Sequence, residues 1–490
     1  MGKRILCLAA ALTFLFVAAI GRTGYVALSG DYTVSSGYNS YTLTVSTQKQ
    51  TLFDRNMQKM NNNKNALVAI IRPNENCLSE LGLLFEQNEI SDIVQELSQG
   101  YPVVKKVEHY ASCKYIKIVE VKESDSSALI KFLQKQYGEN AYEQSINFGV
   151  DAKGRLLEGD EGEISEEFNS DIAQGVVFTI NNEIQKAVED AAKYMRKGAV
   201  VVMDADTAEV LAMYSAPDDN MFRPVMSYTV GSVFKLIVSV CALENGVDFD
   251  FTCTGSVQVG DTEFSCQNGK KHGDENIEKA LANSCNCYFV EMALELGAEK
   301  LHETAQALGF GENTEIMPGY VISDGNLPDL GTLQSSKGQL SLLGFGQGLL
   351  TSTPLQFCTA LCALSNGGFY TEPRLVAATV DITGKQDTTE YNPSNRVISE
   401  KTSETLLEYM RYVVTNGTGS AADYNDLSGG KTSTAQSGIY QDGKEVLNTW
   451  FAGVYPYNDP EYCIVVMTEN GKSGSTDCCP IFRTIVENIT

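Results

Sequence analysis

The segment from Ser232 to Leu243 constrains the fold more than any other part of the chain. It is apolar on nearly every face and is stopped by Asn245-Gly246. A helix without a polar face has to lie in the centre of a domain. Gly231 precedes it, and Ser232 and Lys235 stand at i and i+3 in its first turn, on one face. Burial pushes a lysine toward the neutral amine, and a neutral amine can take the proton of a neighbouring hydroxyl. The segment thus predicts an enclosed core with a serine and a lysine paired at its edge.

The flanking sequence supplies the rest of that core. Asn181 to Tyr194 has helical spacing with a polar start and leads into Ala199 to Met203, a β-branched run that reads as a buried strand. A turn at Asp204-Ala205-Asp206 returns the chain through Val210 to Tyr214 as a β-hairpin. A second helical cluster runs from Asn276 to Leu296 and is interrupted around Ser284. Lys431 to Gln436, Thr449 to Tyr455 and Tyr462 to Thr468 read as three strands separated by Gly, Asn and Pro turns. The fold class is α+β, with an antiparallel sheet packed against helices.

Upstream, residues 31–169 mix β-rich stretches (Tyr41 to Val45, Ala66 to Ile71, Tyr115 to Val121) with helical ones (Ser91 to Ser98, Ser126 to Tyr137), which reads as a smaller α+β domain. The acidic stretch Glu158 to Glu163, with Glu166 and Glu167 behind it, marks an exposed connection, and the second domain begins near Ile172. The expected division is an N-terminal segment 1–30, a first domain 31–170 and a second domain 171–490.

A length of 490 residues with 43% apolar residues suits two or three domains. The formal charge of -25 repels phosphates and argues against nucleic acid as a partner. Lys3 and Arg4 precede an apolar run from Ile5 to Ile20, followed by Arg22 and Tyr25 to Leu28. Counted through to Leu28, the run reaches the roughly 20 residues that span a bilayer, which predicts a membrane anchor with the bulk of the protein on the outer face. Ala19-Ile20-Gly21 offers a cleavage site for the competing reading, a removed signal peptide. Thirteen cysteines leave at least one unpaired. Cys253 and Cys266 flank a segment that reads as a hairpin, so they are the pair expected to bridge; two buried thiols are the other reading. No metal is expected, because no C-x-x-C pair recurs and the only histidines are His109, His272 and His302. No cofactor is expected either.

Ser232-Val233-Phe234-Lys235 is weak evidence by itself, since Ser46-Thr47-Gln48-Lys49 has the same spacing in a polar, β-rich region. It gains weight from two further motifs in order, Ser284-Cys285-Asn286 and then Lys431-Thr432-Ser433 behind Gly429-Gly430. Ser145-Ile146-Asn147 and Lys401-Thr402-Ser403 are decoys of these. The latter precedes Glu404 to Val413, a helical pattern, so Thr402 or Ser403 reads as a helix cap. Lys431 instead starts a strand, where the glycines let a ligand approach and the edge offers amides to an extended peptide.

The three motifs resemble those of the penicillin-binding proteins, in the arrangement of the class B, monofunctional transpeptidases. Thr51 to Asn56, Gly198 to Pro217, Gly346-Gln347-Gly348, Thr353 to Gln356, Asn366-Gly367-Gly368, Asn416 to Gly419 and Trp450 to Gly453 are similar to further landmarks of that family. The resemblance implies a penicillin-binding, β-lactamase-like transpeptidase domain behind a pedestal- or dimerisation-like first domain. It implies that Ser232 attacks a D-Ala-D-Ala stem peptide of peptidoglycan, with Lys235 as base. Ser284 would relay the proton to the leaving amine, and Asn286 would hold the substrate amide and Lys235. Lys431 would lower the pKa of Lys235 and, with Thr432, attract the donor carboxylate; the N-H groups of Ser232 and Thr434 would form the oxyanion hole. β-Lactams would acylate the same serine. Ser433 stands where the family usually has glycine, so its side chain faces either the ligand or the ligand's backing.

Three other functions share these motifs. A β-lactamase needs a second carboxylate to activate water; Glu372-Pro373 lies in the right interval but lacks the asparagine that accompanies such a glutamate. A D,D-carboxypeptidase differs only in using water as acceptor. A catalytically weak penicillin-binding scaffold or sensor of wall synthesis would find its support in Ser433. The first domain lacks the size and acidic motif of the glycosyltransferase in the bifunctional class A proteins, and the resemblance to the class B proteins therefore implies a separate glycan polymerase as partner.

Overall fold

The computed structural model describes residues 2–29, 40–123, 127–137, 139–151, 153–157, 160–169, 175–323 and 325–490. It forms two compact units, one of Met1–Thr47, Asn65–Val121 and Tyr142–Phe168, the other of Gln48–Lys64, Lys122–Ala141 and Asn169–Thr490. The division is therefore not the single boundary expected from the sequence, and Ile172 lies outside the described residues. The reason is long-range pairing. Thr51–Phe53 runs parallel to Gly175–Phe178, which draws the first-domain landmark into the larger unit. There the Asp54 carboxylate accepts from the backbone N-H groups of Asn56 and Gln58 at 2.9 and 2.7 Å. The helix Ala128–Gln136 joins the larger unit too, burying Leu129, Phe132 and Leu133 in its core, with Phe132 stacked on Phe222 at 4.2 Å.

In the smaller unit the strand Lys64–Ile71 lies between Val103–Val107 and Ile116–Glu123. The helix Gln87–Leu97 places Ile93 and Leu97 in the core formed with Ala69, Ile71 and Ile116. The N-terminal apolar run falls in a helix, Gly2–Ser29. Leu12, Phe14, Leu15, Phe16, Val17 and Ile20 on it are exposed. Among the described residues no helix is long and apolar enough to cross a membrane.

The larger unit is built on five strands, β1 (Gly198–Asp204), β2 (Val210–Ala216), β3 (Gly429–Gln441), β4 (Lys444–Tyr455) and β5 (Tyr462–Glu469), in the order β2-β1-β5-β4-β3. Every neighbouring pair is antiparallel. Seven helices matter here: α1 (Asn182–Ala192), α2 (Lys235–Glu244), α3 (Ile277–Asn283), α4 (Asn286–Leu296), α5 (Pro354–Ser365), α6 (Glu400–Asn416) and α7 (Cys479–Ile489). Strand side chains alternate between two faces. Val200, Val202, Ile464 and Val466 pack with Ile184 and Val188 of α1 and Phe482 and Ile485 of α7. Val201, Met203 and Val465 pack with α2 and with Phe357 and Leu361 of α5. The apolar segment is thus enclosed, as its lack of a polar face requires. Its first turn is a 3₁₀ turn, Gly231–Phe234, and regular α-helix starts only at Lys235.

Local chemistry sets the helix boundaries. The Asn181 side chain accepts from the N-H groups of Glu183 and Ile184 to start α1. The interruption expected at Ser284 is the joint between α3 and α4, where Ser284 has φ 55° and ψ 42°. For α6 the sequence reading needs correction. The cap is Ser399, whose hydroxyl accepts from Thr402 N-H at 3.3 Å, while Thr402 and Ser403 are buried inside the helix.

Candidate active site

The turn carrying Ser232 is pinned on both sides. Gly231 has φ +59°, and a Cβ there would come within 2.5 Å of Ser433 Oγ and 2.9 Å of Ala435 Cβ, so the turn lies directly against β3. On its other side Gly231 N-H donates to Gly346 O at 2.8 Å, where a Cβ on Gly346 would strike the Gly231 carbonyl. Trp450 on β4 donates from Nε1 to Thr229 O at 3.0 Å, fixing the approach to the turn. Gly346 and Trp450 are two of the landmarks singled out in the sequence. Ser232 itself is half-buried.

Lys235 is fully buried and its three hydrogen bonds go to Ser284 O at 2.8 Å, Ser284 Oγ at 3.3 Å and Asn286 Oδ1 at 2.8 Å. Its Nζ also lies 5.4 Å from the centre of the Phe289 ring, a contact the sequence gives no sign of. Lys431, also fully buried, donates from Nζ to the same Ser284 Oγ at 3.1 Å and to Thr432 O at 2.8 Å. One hydroxyl therefore stands between two buried amines. Burial lowers the pKa of Lys235 to about 8. Burial first, and the charge of Lys235 second, hold Lys431 well below an ordinary lysine. Burial is thus the leading cause at Lys235, as the apolar segment leads one to expect, while the charge effect expected from Lys431 on Lys235 is found in the other direction, from Lys235 on Lys431.

Ser284 can serve both amines because of its left-handed backbone, which turns the chain sharply between α3 and α4. Such a conformation costs a non-glycine residue about 1–2 kcal/mol. Asn286 is held in turn, its Nδ2 donating to Ser265 O at 3.0 Å. On β3, Thr432 Oγ1 lies 2.5 Å from Thr418 Oγ1 in the Asn416 to Gly419 landmark. Ser433, one residue on, points to the opposite face, toward Gly231; its hydroxyl is buried without a hydrogen-bond partner among the described residues. Of the two placements open for this side chain, the structure has the backing rather than the ligand side. Thr434 follows on the edge strand.

The decoy motifs are elsewhere: Ser46 and Lys49 in the strand Ser40–Lys49, Ser145 and Asn147 in Asn140–Gly149, and Lys401 in α6. The hairpin expected between Cys253 and Cys266 is present, Ser256–Val259 pairing with Thr262–Ser265. Its two cysteines are not bridged: both are free, with sulfurs 3.7 Å apart. The structure instead gathers Cys253, Cys266, His272 and Cys285, so the donors that the sequence reading set aside share one place beside the Ser284 joint.

The model of the penicillin binding protein transpeptidase domain matches residues 198–487, more than half of the chain. The chain belongs to the penicillin-binding protein transpeptidase family. It is 29% identical over 395 residues to the peptidoglycan D,D-transpeptidase FtsI homolog of Mesostigma viride, covering 69% of this chain and 64% of that protein. It is 30% identical over 380 residues to stage V sporulation protein D of Bacillus subtilis, covering 70% of this chain and 57% of that protein. The chain thus matches 57–64% of the length of these two relatives. The crystal structure of penicillin binding protein 3 from Mycobacterium tuberculosis complexed with aztreonam shares the fold, with a TM-score of 0.63 at 22% identity over 91% of this chain and 96% of that one.

Proposed function

We propose that this protein is a serine-type peptidoglycan D,D-transpeptidase that works through an acyl-enzyme on Ser232 and is blocked covalently by β-lactams. The observation that carries the reading is the Ser284 hydroxyl held between the buried amines of Lys235 and Lys431. Two amines around one hydroxyl, shut away from water, do not both stay charged. A donor carboxylate arriving at Thr432 stabilises the charge on Lys431, which leaves Lys235 neutral and able to take the Ser232 proton. Ser232 Oγ then bonds to the penultimate D-alanine carbonyl carbon. The oxyanion is met by the N-H groups of Ser232 and Thr434. The peptide bond breaks as the proton passes through Ser284 to the departing D-alanine amine. An amine from a second stem attacks the ester, gives up its proton along the same path and frees Ser232. Asn286 steadies Lys235 and the donor amide, and β3, an edge strand, offers its backbone to the extended stem.

The exposed apolar side chains Leu12, Phe14, Leu15, Phe16, Val17 and Ile20 on the helix Gly2–Ser29, behind the basic Lys3 and Arg4 of the sequence, support a single-pass membrane anchor, with the catalytic unit on the outer face. A membrane-bound glycan polymerase would supply the strands to be crosslinked. Fluorescent penicillin tests the central claim. Ser232→Ala removes all covalent labelling while melting stays near the parent's; labelling that persists at another serine refutes the assignment. Products separate the alternatives. With an amine acceptor present the enzyme forms crosslinked dimer, whereas hydrolysed stem alone identifies a carboxypeptidase and no turnover identifies a scaffold or sensor.

A further inference from the structure

We propose that Cys253, Cys266, His272 and Cys285 bind one zinc-class divalent cation, and that this ion clamps the joint carrying Ser284 and Asn286. The four donors come from four separate segments. Cys253 ends the strand Phe251–Cys253, Cys266 follows Thr262–Ser265, His272 precedes Gly273–Glu275, and Cys285 caps α4. Their ligand atoms all lie within 4.8 Å of one another, the three cysteines are buried and the histidine is half-buried. Three sulfurs and one imidazole nitrogen are the donor set of a closed zinc site.

The distances fit that geometry. Four ligands placed tetrahedrally around zinc, at the usual Zn-S and Zn-N bond lengths, put sulfurs about 3.8 Å from each other and about 3.6 Å from the nitrogen. Here Cys253 Sγ lies 3.7 Å from Cys266 Sγ, Cys266 Sγ lies 3.7 Å from Cys285 Sγ, and Cys253 Sγ lies 3.5 Å from His272 Nδ1. A two-cysteine bridge explains neither the third sulfur nor the aligned imidazole. Cys287 Sγ is also near, 3.5 Å from Cys266 Sγ, and is assigned as a neighbour outside the ligand set.

With four protein ligands the site keeps no position open for water or substrate, so the ion's role is to hold structure. What it holds is specific. Cys285 lies between Ser284, whose backbone is left-handed, and Asn286, and Ser265 next to Cys266 accepts the Asn286 side chain. A metal bonded to Cys266 and Cys285 fixes both sides of that contact. This positioning role rests on the reading of Ser284 and Asn286 given above; the metal site does not.

Metal analysis of the full chain, purified in detergent under reducing conditions without chelator, tests the proposal. About one zinc per chain is expected. His272→Ala, a change at a half-buried side chain that spares the core, and Cys266→Ser should each lose the ion, while Cys287→Ser keeps it. Cobalt loaded in its place should give the intense thiolate-to-metal absorption of a tetrahedral site. Protein that takes up neither metal, or that isolates with a Cys253–Cys266 disulfide, overturns the site. The clamp has its own readout: stripping the ion should slow penicillin labelling at least tenfold and lower the melting temperature, both restored by zinc. Unchanged labelling in demonstrably metal-free protein overturns the clamp. Metal content is measured without acylation, so a failure of Ser232 to label would count against the catalytic reading alone.

Discussion

Replacing Ser433 separates crowding of the substrate from crowding of the nucleophile turn. The side chain is 3% exposed, its hydroxyl has no partner among the described residues, and it abuts the space a Cβ on Gly231 would fill. An unsatisfied buried hydroxyl costs about 1–3 kcal/mol. Ser433→Ala removes that cost and keeps the Cβ, so it should stabilise the protein by about 1 kcal/mol or more, raising the melting temperature by about 2 °C for a domain of this size. Ser433→Gly removes the same hydroxyl but gives back about 0.5–1 kcal/mol of backbone entropy, so it should fall between alanine and the parent. Acylation should change by less than about twofold in both, since the side chain faces away from the stem and a smaller rate change corresponds to under ~0.4 kcal/mol in the barrier. Differential scanning fluorimetry and stopped-flow labelling with a fluorescent penicillin provide the two measurements. A destabilised alanine variant would show that the hydroxyl has a partner. A glycine variant that acylates ten times faster would show that Ser433 reaches the ligand.

Two further predictions concern charge. Because the neutral amine of Lys235 is the base and its pKa is lowered to about 8, only about a tenth is in the working form at pH 7 and about half at pH 8. The acylation rate should therefore rise about fivefold over that interval and about twofold more before it levels off near pH 9; a flat profile from about pH 6.5 to 9 refutes Lys235 as base. Arg223 is 1% exposed and bonds Glu469 Oε1 from Nε at 3.2 Å and Asp219 Oδ2 from Nη2 at 2.8 Å. Arg223→Ala leaves Glu469 to Lys197 and the Tyr228 hydroxyl and should cost about 3 kcal/mol in urea denaturation, a loss below about 1 kcal/mol showing that these two partners suffice.

What could be read from the sequence was local or followed a period. The polar start at Asn181, the break at Ser284 and the apolar run behind Ser232 each have a cause within a few residues, and each is found where the residues put it. The three motifs were legible through their order, and the structure brings Lys235, Ser284, Asn286 and Lys431 within hydrogen-bond reach. The rest depends on pairing across long stretches of chain. Nothing near Thr51 announces that it will lie beside Gly175, so the unit boundary was misplaced. Nothing in the intervals between Cys253, Cys266, His272 and Cys285 matches a familiar ligand pattern; only the folding of two short β-ribbons and a helix joint collects them. The face taken by Ser433 follows from the pleat of β3, which the sequence could not anchor until Lys431 was seen to point inward.

The strand order β2-β1-β5-β4-β3 has a bearing on how the protein is made. The nucleophile turn follows β1 and β2, the second lysine stands on β3, and the strand between these two halves, β5, is Tyr462–Glu469, later in the chain than all three motifs. A chain halted during synthesis anywhere between Ser433 and Tyr462 would carry every catalytic side chain and yet have no sheet to bring them together. Such a fragment should neither bind penicillin nor acylate itself. The order of the strands thus delays reactivity until β5 has been made, well after the last catalytic side chain.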